Sequence, residues 1–262
     1  ELIFLQSIGP RLGGLLTKDI GELKRIFLSP GPIFDPEDRM DDYWGYTEAF
    51  YSVGFRPGDV VQVTFNYHLS PAGLMFEEPL RNLGCASIPA GPTDPGTQLD
   101  IMQKLRVSGY VGTASYLMHL AQKAEEKGIN LRKDLFQEVA FVTGERLSEK
   151  MRNQLEKKFD IILRQGYGTA DVGCIGYECF HKTGLHISNR CYVEICHPDT
   201  GIPLKDGEVG EIVVTSFNKT YPLIRLATGD LSYIDRAPCA CGRTSPRLGS
   251  IVGRVDTTAR IK

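Results

Sequence analysis

The 262-residue chain has no run of 18 apolar residues, which excludes a membrane-spanning helix. It has no surplus of charge either. The formal net charge is -2, so nothing global argues for a nucleic-acid partner or an anionic membrane surface. No disulfide framework is visible, because the seven cysteines are odd in number and irregularly spaced. A reduced, cytoplasmic protein with several buried thiols is expected. The opening Glu1-Leu-Ile-Phe-Leu5 lacks a basic stretch and is too short for a signal peptide. The chain does not begin with Met, which suits a piece of a longer protein. What remains is 42% hydrophobic and 24% charged, enough for one large folded domain or two small ones.

The middle of the chain alternates two patterns. Val60–Phe65, Ala86–Pro89, Gly109–Gly112, Val139–Val142 and Ile161–Leu163 read as short apolar strands. Between them lie helical stretches: Met75–Leu83, Thr97–Leu105, and Ser115–Lys127 with Leu117, Leu120, Ala121 and Ala124 on one face. A further helix is expected behind an N-cap at Ser148, where Met151, Leu155 and Phe159 recur every four residues. Such alternation predicts an α/β fold, with a largely parallel sheet flanked by helices. Near Gly184 the character changes. Leu185–Ile187, Cys191–Cys196 and Glu211–Thr215 are separated by turns at Pro198–Gly201 and Lys205–Gly207, which predicts a small antiparallel β subdomain. The expected division is therefore 1–183 and 184–262.

Several segments carry chemistry. Gln165-Gly-Tyr-Gly-Thr-Ala-Asp171 is placed where the fifth strand should end, the edge at which parallel sheets bind ligands. Its glycines let backbone approach a ligand, and Tyr167 can stack on a base; alone, it reads more simply as a Gly-rich turn with a surface acid, since such turns are common punctuation. Thr143-Gly-Glu145 follows the preceding strand, so two such turns should lie side by side. Thr228-Gly-Asp230 is a bare tripeptide, given weight by an expected strand at Pro222–Leu226 and by Ile251-Val-Gly-Arg254 after it. Arg225 offers a guanidinium suited to a phosphate or carboxylate, or to a structural ion pair. Cys239-Ala-Cys241 lies in a Pro- and Gly-rich loop, about 60 residues after Cys179, His181 and His186. A Cys-x-Cys pair with a distant Cys and His can close a structural Cys3His zinc site, with either histidine as the fourth ligand. Asn66-Tyr-His68 ends the first strand and faces the same sheet edge.

In this order, these motifs resemble the large domain of the AMP-forming acyl-CoA ligases, in the phenylacetate-CoA ligase branch of the adenylate-forming superfamily. The resemblance runs from about Gly13 to Lys262. It implies an AMP-forming carboxylic acid–CoA ligase using ATP, CoA and Mg²⁺ on a small aryl or acyl acid. Gly144, Glu145, Tyr167, Gly168 and Thr169 would surround the adenine and α-phosphate. Asp230 would accept the ribose hydroxyls and Arg254 would assist. Asp171 stands where the family commonly has glutamate and would hold Mg²⁺, with a reach shorter by roughly 1.5 Å. Arg225 would be a second catalytic residue. Tyr67 and His68 would line the acid pocket. Some relatives carry Cys and His at the places of Cys179, His186, Cys239 and Cys241, and the Gly184-Leu-His186 match favours His186 over His181. A second copy of the chain is an admissible partner.

One segment departs from the family. Phe27-Leu-Ser-Pro-Gly-Pro-Ile-Phe34 stands where relatives have a Ser/Thr/Gly-rich phosphate loop followed by Lys. Pro30 and Pro32 remove two backbone donors, only Ser29 supplies a hydroxyl, and no Lys follows. Ser29 and Gly31 could still touch phosphate. The resemblance also implies a mobile C-terminal domain of about 100 residues bearing an adenylation lysine, reached through a hinge at the end of this chain. Without it, weak or absent ligase activity is expected. Two other readings stay open: a nucleotide- or acyl-binding homologue that has lost ligation, and a zinc-stabilised interaction module.

Overall fold

A computed structural model describes residues 2–258; the hinge expected at the end of the chain lies outside the described residues. The chain divides into two compact units, one made of 1–39 with 167–262 and the other of 40–166. In chain order the elements are α1 (Leu2–Ile8), β1 (Arg25–Ser29), β2 (Ile33–Glu37), α2 (Thr47–Val53), β3 (Val60–Val63), α3 (Ala72–Asn82), β4 (Ala86–Pro89), α4 (Pro95–Lys104), β5 (Gly109–Gly112) and α5 (Ala114–Glu126). Then follow β6 (Val139–Val142), α6 (Glu149–Phe159), β7 (Ile162–Thr169), β8 (Gly173–Glu178), β9 (Leu185–Ile187), β10 (Cys191–Cys196) and β11 (Gly210–Ser216). The last are β12 (Leu226–Ser232), β13 (Ile234–Asp235), β14 (Arg247–Leu248), β15 (Gly253–Arg254) and α7 (Val255–Thr258).

The unit 40–166 is a parallel sheet in the order β4-β3-β5-β6-β7. Successive side chains of a strand point to opposite faces, so each strand feeds two cores. Ala140 and Val142 of β6 join Leu99, Leu117, Leu120, Leu155 and Phe159 from α4, α5 and α6 on one face. Phe141, between them in sequence, packs edge-on against Phe50 of α2 and near Phe76 of α3 on the other. The helices start where short polar side chains can take up free backbone N–H groups. Asp94 accepts from Gly96 and Thr97, Thr113 from Tyr116, and Ser148 from Met151. The expected apolar stripe of α5 is buried throughout. Strand order reverses between β3 and β5: the chain leaves β3 toward β4 and leaves β5 toward β6. Such a switch point opens a crevice outside the strand ends.

The other unit is built on antiparallel sheets. One sheet has the order β10-β11-β12-β15, the strand run β13-β14-β9-β8 is antiparallel throughout, and β1 with β2 forms a hairpin. The first forty residues are tied to the segment near 220 by side chains. Gln6 donates to the Tyr221 hydroxyl (3.0 Å), Lys18 pairs with Asp38 (2.8 Å), and the Thr220 hydroxyl donates to Asp38. No described helix is long and apolar enough to cross a membrane.

Two local expectations change. The Gly-rich segment 165–169 is strand, not turn: β7 runs through Thr169, and the turn falls at 170–172. The strand expected at Pro222–Leu226 begins only at Leu226, because Pro222 has no N–H to donate to a ladder and Arg225 sits in the left-handed region at φ 52°.

Candidate functional site

In the unit 1–39 with 167–262, three of the sequence-predicted residues meet. Asp230 lies mid-strand on β12 and pairs in register with Arg254 of β15. The Arg254 guanidinium donates to one carboxylate oxygen (2.9 Å), and the Tyr167 hydroxyl donates to the other (2.8 Å). Gly229 makes this approach possible. It sits at φ 77°, and a Cβ there would lie 2.8 Å from Arg254 Nη2. The strand is steadied around it: Thr228 donates to the Ile212 carbonyl (3.0 Å), and the Gly229 N–H donates to Glu211 (3.0 Å), beside an irregularity in the β11–β12 register. Burial, with the neighbouring charge of Asp230, holds the Tyr167 hydroxyl well above the usual tyrosine range, so it stays a donor. A carboxylate accepts about four hydrogen bonds, and among the described residues Tyr167 and Arg254 take one position on each oxygen.

Asp171 lies in the turn after β7, and its charge acts on a residue that sequence reasoning missed. Asp35 of β2 is buried at 1% exposure, with neither carboxylate oxygen hydrogen-bonded among the described residues. Burial raises its pKa to about 7; the Ser29 hydroxyl opposes this and Asp171 adds to it. The alternation Ile33, Asp35, Glu37 places these residues on one face of β2, the signal that could have singled out Asp35. The Ser29–Ile33 stretch is a tight turn of the β1–β2 hairpin, with Ser29 facing the Ile33 carbonyl (3.3 Å). It is not an open, donor-rich loop.

Arg225 is engaged elsewhere. It pairs with Glu194 (3.2 Å) and donates to the Gly201 carbonyl (2.8 Å) and to the Cys196 sulfur (3.4 Å).

In the unit 40–166, Gly144 and Glu145 follow β6. Gly144 sits at φ 81°. The Glu145 carboxylate takes the Ser115 N–H (2.5 Å) and hydroxyl (2.8 Å) at the start of α5. Tyr67 and His68 follow β3, at the switch point. The Tyr67 ring lies against Gly73, where a Cβ would come 2.6 Å from it, while His68 is exposed.

A second cluster gathers four side chains that could hold a metal ion. The β8–β9 hairpin pairs Tyr177 with His186, so Cys179 just past β8 lies beside the ring. β14 pairs Arg247 with His186, which brings in the loop 236–246 that carries Cys239 and Cys241. The ligand atoms of Cys179, His186, Cys239 and Cys241 lie within 4.8 Å of one another. Cys179 and Cys239 sulfurs are 3.7 Å apart, and Cys241 sulfur is 3.4 Å from His186 Nε2. A tetrahedral zinc with bonds of about 2.3 Å to sulfur sets two thiolates about 3.8 Å apart. The donor set and its spacing therefore fit zinc. The His186 Nδ1 meets the Ser245 hydroxyl (3.2 Å), the kind of outer contact that fixes a ligand's tautomer. His181 lies outside the cluster, exposed, with its ring 4.3 Å from that of Phe180 and tilted to it by 39°.

The family model described as AMP-binding enzyme matches residues 43–219. The phenylacetate-coenzyme A ligase of Thermus thermophilus is 31% identical over 210 residues, 78% of this chain and 47% of that protein. That of Escherichia coli is 29% identical over 228 residues, covering 82% and 50% respectively. The chain thus spans about half the length of these curated relatives. An open form of 2-hydroxyisobutyryl-CoA ligase with bound 2-HIB-AMP and CoA superposes on 97% of this chain and 63% of its own. Its TM-score is 0.90 at 24% identity, which shows a common adenylate-forming ligase fold.

Proposed function

The chain belongs to the AMP-binding enzyme family, and from that premise we propose that it is the nucleotide-holding part of an AMP-forming carboxylic acid–CoA ligase of the phenylacetate-CoA ligase kind. The observation that carries this reading is the Tyr167–Asp230–Arg254 arrangement. Asp230 keeps two acceptor positions for a pair of vicinal hydroxyls, and Tyr167 and Arg254 hold the carboxylate still. Gly168 and Thr169 continue β7 beside Tyr167, and Gly144 and Glu145 are assigned to the nucleotide by resemblance. Tyr67 and His68 are assigned to the acid substrate.

The reaction has two halves. A carboxylate oxygen of the acid attacks the α-phosphorus of ATP, and pyrophosphate leaves with the electron pair of the broken P–O bond. The CoA thiolate then attacks the acyl carbon of the adenylate, and AMP leaves. This chain's residues act by positioning and by charge. Asp230 fixes the ribose and hence the α-phosphate, while Arg254 keeps the carboxylate aligned and adds positive charge. Asp171 is the residue to hold Mg²⁺, which would neutralise phosphate oxygens. Arg225 could contribute a second guanidinium only after giving up its Glu194 pair.

Cys179, His186, Cys239 and Cys241 serve as a structural zinc site, since four protein ligands leave no open position. One specific observation favours a second reading, a homologue that binds nucleotide without ligating: the proline-bounded β1–β2 turn offers phosphate few donors. Isothermal titration with ATP, AMP and a panel of aryl acids separates these. Binding of nucleotide and acid supports the ligase, nucleotide alone supports the second reading, and neither leaves a zinc-stabilised interaction module.

A further inference from the structure

Asp35 has no part in the sites above, yet its setting is unusual. It is inaccessible to water, and both its oxygens lack hydrogen-bond partners among the described residues. An ionised carboxylate in that state is strongly disfavoured, so it needs a proton or a cation. A second acid is close by. Ile33, on the same face of β2 as Asp35, packs in one apolar cluster with Val172, the neighbour of Asp171, and with Tyr221. Asp35 and Asp171 both act electrostatically on the Tyr221 hydroxyl. A buried acid that feels the charge of a second, half-buried acid is disfavoured as an anion unless something positive lies with them. The same hairpin that carries Asp35 also carries the Ser29–Ile33 turn, which has no lysine and, with Pro30 and Pro32 lacking an N–H, few donors to meet a phosphate. The missing positive charge and the unmatched negative charge lie on one hairpin.

Resting on the ligase reading, we infer that Asp35 and Asp171 together bind one divalent, oxygen-preferring cation of the Mg²⁺ class, and that this ion supplies the positive charge for the nucleotide's phosphates which the β1–β2 turn lacks. Hard cations of this kind take one or two carboxylates and complete their shell with water and phosphate oxygens. Asp35 is the inner ligand, and Asp171, in a turn, is the one nearer solvent.

Mn²⁺, a paramagnetic substitute for Mg²⁺, tests this without catalysis. The chain is first loaded with zinc so that the Cys/His cluster is filled, and Mn²⁺ binding is read by electron paramagnetic resonance without nucleotide. One Mn²⁺ per chain is expected, and Asp35→Asn and Asp171→Asn should each weaken it at least 10-fold. No Mn²⁺ binding by the parent, or parental affinity in either variant, overturns the inference. Unchanged Mn²⁺ binding with higher thermal stability in Asp35→Asn identifies Asp35 as a buried neutral acid instead. If Asp35→Asn does not fold, Asp171→Asn decides alone. AMP binding in chelator is read separately, so that loss of the cation and loss of the nucleotide site are distinguishable.

Discussion

At the scale of single residues, the candidate site depends on a glycine. Gly229 holds a left-handed φ that costs other residues about 1–2 kcal/mol. Any side chain there also meets the Arg254 guanidinium. Gly229→Ala should therefore lower stability in denaturant by about 1–2 kcal/mol and also weaken AMP binding, with Asp230 intact. Parental stability and AMP affinity in this variant would contradict the described approach of Arg254 to Asp230. Thr228-Gly-Asp230 was singled out in the sequence only by its neighbours and by the family resemblance, and the strand that carries it begins at Leu226, later than expected. Asp35 was not singled out, since an acid on a strand normally faces water; its alternation with Ile33 and Glu37 gives a shared face, and packing shows that face to be buried at Asp35 and Glu37.

At the scale of elements, β5 is held at close quarters. A Cβ on Gly112 would fall on the Thr64 hydroxyl and the Tyr110 phenol, which bond each other at 3.2 Å. Overpacking of this kind costs about 1–3 kcal/mol; Gly112→Ala should lose that much in urea unfolding, and a loss under about 0.5 kcal/mol would show that β3 and β5 are looser than described.

The N-terminal segment has its own tie. Burial alone would raise the Asp38 pKa, but the Lys18 ammonium, the Thr220 hydroxyl and the Arg39 N–H together lower it from 3.8 to about 2. A folded value below the unfolded one stabilises the fold above that unfolded value. This contribution is complete above about pH 4 and is lost as pH falls through 2. Acid unfolding of Asp38→Asn should lack that component; identical profiles for parent and variant would refute the tie. The parallel strands and the helices between them were readable from periodicity, because each apolar stripe is local. The docking of residues 1–39 on the segment near 220 was not, because it joins apolar residues such as Leu2, Leu12 and Leu23 to Tyr221 and Leu223, with a few polar ties, across about 200 residues of sequence. The same holds for Arg247, buried beside the Cys/His cluster and donating to Thr183 and Asp235.

At the scale of the whole molecule, the chain carries a fold shared with larger ligases while spanning about half of its curated relatives. Metal and nucleotide are then separate tests. Protein purified without added metal should hold one zinc per chain. Cys239→Ser should abolish it and lower Tm by at least about 4 °C, since 1 kcal/mol is worth about 2–4 °C in a domain of this size. Less than about a tenth of an equivalent of transition metal in the parent would remove the zinc assignment.

The most direct test of the central claim, that Asp230 holds a ribose, is calorimetric titration of AMP into parent and Asp230→Ala. Removing the charged acceptor costs about 1.5–3 kcal/mol, so binding should weaken roughly 10- to 150-fold. A folded Asp230→Ala variant that binds AMP as tightly as the parent would contradict it.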